Sequence, residues 1–194
     1  MLISINMKNK KENLNKMEEK MEIPAGMDIS IDGQIVVLKK DSKETKRILS
    51  REIIASKEDN TLILTTRDNK KEQRRNLKTL IAHIKNDIEG LTNGFEYELE
   101  ICNVHFPMNV TFDKAKREVI IKNLIGEKHP RIVKVNQEVE VEIKMPHIKL
   151  KAHNIEIVGQ VAADLEKATR IRYKDRNKFQ DGIFITKKPG KTYI

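Results

Sequence analysis

Tryptophan is absent from this chain of 194 residues, aromatic residues make up only 4% of it, and Cys102 is its single cysteine. A lone cysteine excludes an intramolecular disulfide, which suits a reducing compartment. No apolar run approaches the roughly 18 residues that a membrane span requires, so we expect no membrane helix. Only 38% of the residues are hydrophobic. Each core should therefore be small, as in domains of fewer than about 100 residues.

The motifs that carry common enzyme chemistry are missing as well. The chain contains no H-E-x-x-H, no G-x-S-x-G, no P-loop and no G-x-G-x-x-G motif. The histidines do not fall at the spacing of metal ligands; they are His83, His105, His129, His147 and His153. We therefore predict a protein that is not an enzyme and that uses no metal, no cofactor and no small-molecule substrate.

Positive charge is what the chain has in excess. Lysine and arginine together number 38, against 29 aspartate and glutamate residues, and the formal net charge is +9. An excess of this size indicates an anionic partner. Nucleic acid is the first candidate and an acidic membrane surface is the second.

An internal repeat organises the chain. The segment Met27–Asp32 returns in similar form 81 residues later as Met108–Asp113, and both copies alternate apolar and polar side chains as a half-buried strand does. Two more strands are predicted in each half, at residues 35–38 and 62–64 in the first half and at residues 119–121 and 139–143 in the second.

The same spacing extends to one predicted helix in each half. An apolar stripe at helical spacing is formed in the first half by Leu77, Leu80, Ile81, Ile84 and Ile88. Adding 81 to the first four numbers gives an equivalent stripe of Val158, Val161, Ala162 and Leu165. A constant offset through both strand and helix is poorly explained by chance, so we predict a duplication.

Helix-end signals flank both stripes. Asn69 and Glu72 have the spacing of a capping box before the first helix, and Gly90 is the predicted stop. Asn154 is the predicted N-cap of the second helix.

A closing strand is predicted after each helix, at residues 95–99 and 183–185, so each half reads β-β-β-α-β. One helix covering one face of a small, mostly antiparallel sheet is an α+β unit, and we predict two of them in tandem. The predicted divisions are an N-terminal extension at residues 1–22, disordered or helical, a first repeat at 23–101, a second repeat at 102–186 and a basic C-terminal tail at 187–194.

The repeat changes length before its last strand. Gly94-Phe95 aligns with Gly182-Ile183 at an offset of 88, so the second half has gained seven residues. Cations occupy every second position of the added stretch, at Arg170, Arg172, Lys174, Arg176 and Lys178. In an extended segment this period places all five on one side, where an anion would have to neutralise them.

Aromatic residues and a second basic cluster accompany these cations. Tyr173 and Phe179 lie among them, and such rings stack on unpaired bases. Lys187, Lys188 and Lys191 follow on what we predict to be a flexible tail. The alternative is a solvated charged loop, but the insertion, the alternation and the aromatic residues favour binding to RNA phosphates.

Four stretches resemble the family of the universal ribosomal protein six of the large subunit, in its archaeal and eukaryotic branch. They are Ile23-Pro24 with Met27–Ile29, Gly94–Tyr97 with Val104–Val110, Leu124–Lys128, and Asp175–Ile183. The likeness covers about residues 22 to 191. It implies two tandem sheet-plus-helix domains, a place near the factor-binding region and stalk base, and a second domain that makes most contacts to ribosomal RNA.

The leading interpretation is therefore a structural constituent of the large ribosomal subunit, in the cytoplasm. Its partners would be large-subunit ribosomal RNA and neighbouring ribosomal proteins, with no membrane. The alternative is a non-ribosomal RNA- or DNA-binding protein or chaperone on the same duplicated fold. Two features depart from the family: residues 39–43 lack its Gly-Pro-x-Gly turn, so we expect no positive φ there, and the N-terminal extension is long.

Overall fold

Two α-helices and four small antiparallel sheets make up the part of the chain that the computed structural model describes, residues 17–41 and 43–193. The chain divides into two units, Met1–Thr92 and Asn93–Ile194, and each unit has its own hydrophobic core. No helix of the described residues is both long and apolar enough to cross a membrane.

The first unit places its described strands before its helix. Their bounds are β1 Glu18–Glu22, β2 Asp28–Asp32, β3 Ile35–Lys40, β4 Lys43–Ile48, β5 Ile53–Glu58 and β6 Thr61–Thr66, followed by α1 Lys71–Asn93. The strands pair in two sheets, β1-β6-β5 and β2-β3-β4. Leu77, Leu80 and Ile84 of α1 pack in the same core as Leu38 and Leu64. Burying each such side chain stabilises the unit by about 1.5–3 kcal/mol.

The second unit repeats this plan and then extends it. Its elements are β7 Phe95–Cys102, β8 Asn109–Asp113, β9 Glu118–Lys122, a 3-10 turn at Leu124–Gly126, β10 Arg131–Lys134, β11 Glu140–Lys144, β12 His147–Ala152, α2 Ile155–Ala168, β13 Gly182–Lys188 and β14 Lys191–Thr192. The sheets have the orders β10-β9-β8 and β11-β12-β7-β13-β14.

The two units share one topology. In both, the first described strand pairs with the strand that precedes the helix, giving β5-β6-β1 and β11-β12-β7. β2 and β8 lie 81 residues apart along their whole length. The buried helix positions keep the same offset, from Leu77, Leu80 and Ile84 to Val158, Val161 and Leu165. The α+β class and the duplication are confirmed, with more strands before each helix than the three that the sequence pattern singles out.

β7 lies in a different place from the one that the sequence pattern suggests. The sequence pattern predicts residues 95–99 as the last strand of the first repeat, but β7 is the middle strand of the second unit's large sheet, between β12 and β13. Strict alternation of apolar residues predicts a strand but not the strands with which it pairs, so the pattern fits a place in either repeat. β7 is thus the counterpart of β1, and β13 has no counterpart among the described strands of the first unit.

The end of the N-terminal extension belongs to the first sheet. Residues 18–22 were expected to be disordered or helical, but they form β1, which pairs along its length with β6. Met17 and Met21 are half-buried against the core. The short strand carries three glutamates and a lysine, so its pattern gives little apolar signal. The rest of the predicted extension, residues 1–16, lies outside the described residues.

The predicted helix ends are partly corrected. The Asn154 side chain accepts hydrogen bonds from the backbone N–H groups of Glu156 and Ile157, which confirms it as the N-cap of α2. At α1 the predicted box of Asn69 and Glu72 is wrong. The Gln73 side-chain oxygen instead accepts the Asp68 N–H at 2.9 Å.

α1 also continues past the predicted stop. Gly90 is buried inside the helix, which ends at Asn93. Gly94 follows with a φ of +72°, the conformation that favours glycine after a helix.

The glycine-free loop at residues 39–43 does adopt a positive φ. Asp41 has a φ of +53° between β3 and β4, so the expectation of no positive φ is wrong. Aspartate tolerates this region better than most residues because its short polar side chain bonds to nearby backbone. Ser42 lies outside the described residues.

Candidate nucleic-acid interface

The predicted RNA-binding residues lie mainly on the connection from α2 to β13, residues 169–181, which we call the α2–β13 segment. Thr169 fixes its beginning. This buried side chain accepts the Ile183 N–H at 2.9 Å through its Oγ1 atom, which ties the end of the helix to the new strand. The segment therefore leaves and re-enters the core at neighbouring points.

Arg131 of β10 holds the same end of the segment. Its Nη1 atom donates to the carbonyl oxygens of Ala168 and Arg170, at 2.6 and 3.3 Å. Its Nε atom donates to Glu127 Oε2 at 2.8 Å, and Nη2 donates to the other carboxylate oxygen. Helix C-terminal carbonyls lack partners within the helix, so this arginine serves structure and its charge is already neutralised.

Asp181 fixes the far end. Its Oδ1 atom accepts the backbone N–H groups of Val104 and His105, both at 2.8 Å, and its Oδ2 atom lies 2.7 Å from His105 Nδ1. Burial alone would raise the pKa of Asp181. Hydrogen bonds from the backbone and side chain of His105 and from the backbone of Val104 and Phe106 outweigh burial and lower the pKa to about 2. Asp181 is therefore ionised at neutral pH.

The two aromatic residues of the segment have different surroundings. Phe179 is half-buried, and its ring stacks on His105 with 4.7 Å between centroids and 24° between planes. Lys174 Nζ lies 4.5 Å from the centroid of the same ring. Tyr173 is fully exposed and has a φ of +61°. Only Tyr173 of this pair presents an open ring face.

The backbone of the segment is not extended. Besides the bend at Tyr173, the Asp175 carbonyl oxygen accepts the N–H groups of Lys178 and Phe179, and the Asp175 side chain accepts the Asn177 N–H at 2.9 Å. The prediction of an extended chain with all cations on one side is therefore wrong. Aspartate at the start of a turn competes with extended structure, and alternation in the sequence does not register that competition.

The five cations of the segment are exposed and have no acidic partner in the described part of the chain. Within residues 17–41 and 43–193, no carboxylate oxygen lies within 4.0 Å of the charged nitrogens of Arg170, Arg172, Lys174, Arg176 or Lys178. Lysines of the large sheet contrast with them. Lys149 lies 3.3 Å from Glu98, and Lys151 lies 3.0 Å from Glu96. The segment concentrates positive charge that the described protein does not neutralise.

The second basic cluster is ordered as a hairpin. Lys187 and Lys188 belong to β13, and Lys191 begins β14 and pairs with Lys188. The prediction of a flexible tail is therefore wrong for these residues, because the turn at Pro189-Gly190 lets the chain fold back. Lys187 Nζ lies 3.7 Å from Glu98.

The other two lysines of this hairpin face a ring. Lys188 Nζ and Lys191 Nζ lie 5.1 and 4.7 Å from the centroid of Tyr193. Hydrogen bonding with Lys188, together with both positive charges, lowers the pKa of Tyr193. Charge is present here, but each lysine already has a partner.

Three residues that shape the site have no recognisable signal in the sequence. Arg131, His105 and Asp181 are not predicted RNA-binding residues, yet they fix both ends of the α2–β13 segment. His105 and Asp181 are 76 residues apart in the chain, and no local sequence pattern links two residues at that separation. Among the described residues, no group of three or more His, Cys, Asp or Glu side chains is placed to hold a metal ion.

Comparison with known proteins supports the duplicated plan. Residues 23–94 and 106–182 match the family model described as Ribosomal protein L6. The large ribosomal subunit protein uL6 of Methanococcus vannielii is 40% identical over 176 residues, which cover 90% of this chain and 96% of that protein. The uL6 proteins of Aeropyrum pernix and Haloarcula marismortui are 37% and 35% identical, over 86% and 88% of this chain and 92% and 96% of their own lengths.

Proposed function

The chain belongs to the ribosomal protein L6 family, and on that premise we propose that the α2–β13 segment holds ribosomal RNA. The chain is a structural constituent of the large ribosomal subunit. Its second unit would bind by neutralising phosphates and fitting the shape of folded RNA, without turnover of a substrate. We infer that it acts in the cytoplasm beside neighbouring ribosomal proteins, and near the factor-binding region and stalk base, as the family resemblance implies.

One observation carries this proposal: five exposed cations on an anchored backbone have no carboxylate within ion-pair distance in the described part of the chain. Phosphate groups are the partner that a surface of this kind favours, and contact releases the counterions condensed on the RNA. Because Thr169, Arg131 and Asp181 already fix the ends of the segment, little conformational entropy is lost when RNA binds.

The test compares two variants that each lose four positive charges. The first replaces Arg172, Lys174, Arg176 and Lys178 together by glutamine. The second replaces Arg74, Arg75, Lys78 and Lys85 of α1, which are also exposed. Affinity for protein-free large-subunit ribosomal RNA is measured at several salt concentrations, and folding is checked by circular dichroism.

We expect the segment variant to bind much more weakly and to depend less on salt. If all four residues contact phosphate, the magnitude of the negative slope of log K against log salt should decrease by roughly 3 to 4, at about 0.9 per contact by analogy with B-DNA. The α1 variant should change the slope little. Equal weakening by both variants would mean that a diffuse positive field binds RNA, and the segment would lose its assigned role.

A further inference from the structure

A cleft of about 620 Å³ opens beside the α2–β13 segment. This volume lies within the range of roughly 300–1,000 Å³ that is typical of small-molecule sites. Ile125, Ile171 and Tyr173 supply apolar surface along it, and Lys167, Arg170 and Arg172 supply positive charge. Apolar walls with cations beside them suit a ligand that has a flat ring and a phosphate.

The acidic residue in the cleft does not oppose such a ligand. Glu127 also lines it, but both of its carboxylate oxygens accept hydrogen bonds from Arg131. The Arg131 guanidinium is directed at the carbonyl oxygens of Ala168 and Arg170 as well. The charges of Glu127 and Arg131 therefore neutralise each other. The net positive charge of the cleft comes from its other cations, among them Lys167, Arg170 and Arg172.

Two residues that line the cleft have an unusual backbone conformation. Tyr173 has a φ of +61° and Ile125 a φ of +49°. A positive φ is uncommon for any residue with a side chain and a clear outlier for a β-branched one such as Ile125. Strained residues of this kind cluster at ligand sites, because a relaxed backbone would direct the side chain elsewhere. Here the strain occurs on two of the elements that border the cleft, the 3-10 turn and the α2–β13 segment.

We propose that this cleft accepts one unpaired nucleotide of the ribosomal RNA, with its base stacked on Tyr173 and its phosphate held by Arg170, Arg172 and Lys167. This inference rests on the proposed function, because it assumes that the segment faces RNA. It goes beyond phosphate neutralisation by assigning recognition of single-stranded RNA to one ring. Tyr173 fits that role since its ring is fully exposed, whereas Phe179 is already stacked on His105.

The absence of tryptophan from the chain provides a direct test. Tyr173→Trp creates a unique fluorophore at the proposed stacking position. Ile48→Trp creates a matched control on an exposed strand position of the first unit, where Ile48 is 80% exposed. Each variant is titrated with protein-free large-subunit ribosomal RNA. We expect strong quenching at position 173 and little change at position 48. Equal emission changes at both positions would overturn the proposal.

Substitution of the same residue separates stacking from charge. Tyr173→Ala should weaken RNA affinity by about fivefold or more, since base–aromatic stacking is worth at least that factor. Tyr173→Phe keeps the ring and should bind like the wild type. Neither variant removes a cation, so both should keep the wild-type salt slope. Equal loss in both variants would point to the hydroxyl group and overturn stacking, as would unchanged affinity of Tyr173→Ala.

The remaining outcomes distinguish this inference from the function it rests on. If the quadruple charge variant loses affinity while Tyr173→Ala does not, RNA binding by the segment stands and the nucleotide site fails. If the charge variant itself binds normally, the proposed function fails first. If Tyr173→Ala impairs incorporation into large subunits but not binding to protein-free RNA, then Tyr173 contacts a neighbouring protein and the nucleotide site is overturned.

Discussion

The two repeats are built alike up to the end of the helix and differ in the chain beyond it. After α1 the chain passes through Gly94 directly into β7, the first strand of the next repeat. After α2 it runs through the α2–β13 segment into β13, which adds to the edge of β7 that the repeat leaves open. The duplicated part supplies the cores, and the candidate RNA site lies on the part that was added to one copy.

The same contrast holds for charge within the second unit. Lysines on the large sheet pair with Glu96 and Glu98 of β7, whereas the cations of the α2–β13 segment have no such partners in the described residues. Net charge alone therefore does not locate the site. The proposed location rests on the cations that have no acidic partner among the described residues.

The largest effect should come from a charge placed in either helix stripe. Leu80→Asp and Val161→Asp stand at equivalent positions, 8% and 4% exposed. Each should destabilise its own unit by about 4 kcal/mol or more, because an unpaired carboxylate is forced into an apolar core. Hydrogen exchange resolved by segment would report which unit opens. A melting temperature near that of the wild type for either variant would break the equivalence of the two repeats.

Removing β1 should have the next largest effect and should be confined to the first repeat. Deletion through Glu22 exposes the edge of β6 and removes the Met17 and Met21 side chains, which are half-buried against the core of the first unit. We expect the first unit to lose about 2 kcal/mol or more, from lost burial and strand hydrogen bonds. Met21→Asp in the full chain should reproduce most of the loss. Unchanged stability of the first unit in both variants would show that β1 does not stabilise that unit, and that it is not equivalent to β7 of the second unit.

Asp181 should make the stability of the second unit depend on pH. Its folded pKa of about 2 lies below the ordinary value of 3.8. The carboxylate therefore stabilises the fold above the unfolded pKa, and that stability is lost as pH falls from about 5 towards 2. Asp181→Asn should cost the second unit about 2 kcal/mol at pH 7, and little near pH 2. Urea midpoints across this range measure the difference, and a cost independent of pH would contradict the assignment.

The smallest predicted effect distinguishes the two helix starts. Asn154→Ala removes two observed cap hydrogen bonds and should destabilise the second unit by about 1 kcal/mol. Asn69→Ala is the matched control, since no hydrogen bond from the Asn69 side chain is found within the described residues, and it should change stability by less than about 0.5 kcal/mol. Thermal unfolding of both variants provides the comparison. Equal losses of stability in the two variants would mean that the Asn69 side chain does cap α1, and would contradict the assignment of that role to Gln73.

Sequence periodicity was sufficient for the helices and for their buried faces. It identified Leu77, Leu80 and Ile84 and their counterparts, because a helix face is set by spacing along one segment. It also identified β7 as a strand but not its neighbours, since pairing is decided by tertiary contacts. The composition of the α2–β13 segment was visible in the sequence. Its bent shape was not, because alternation does not register the local turn that Asp175 forms, and the anchor of its far end depends on a distant partner, His105.

The position of β13 has a consequence for synthesis of the chain. A polypeptide emerges from its amino terminus, and domains fold as units in that order. The elements of the first unit have all emerged once α1 has been synthesised, but the second unit keeps one edge of β7 open until residues 182–188 follow. An exposed strand edge is a site for wrong pairing with another chain. Chains truncated before β13 should therefore aggregate, and the α2–β13 segment should take its shape only after β13 has paired with β7.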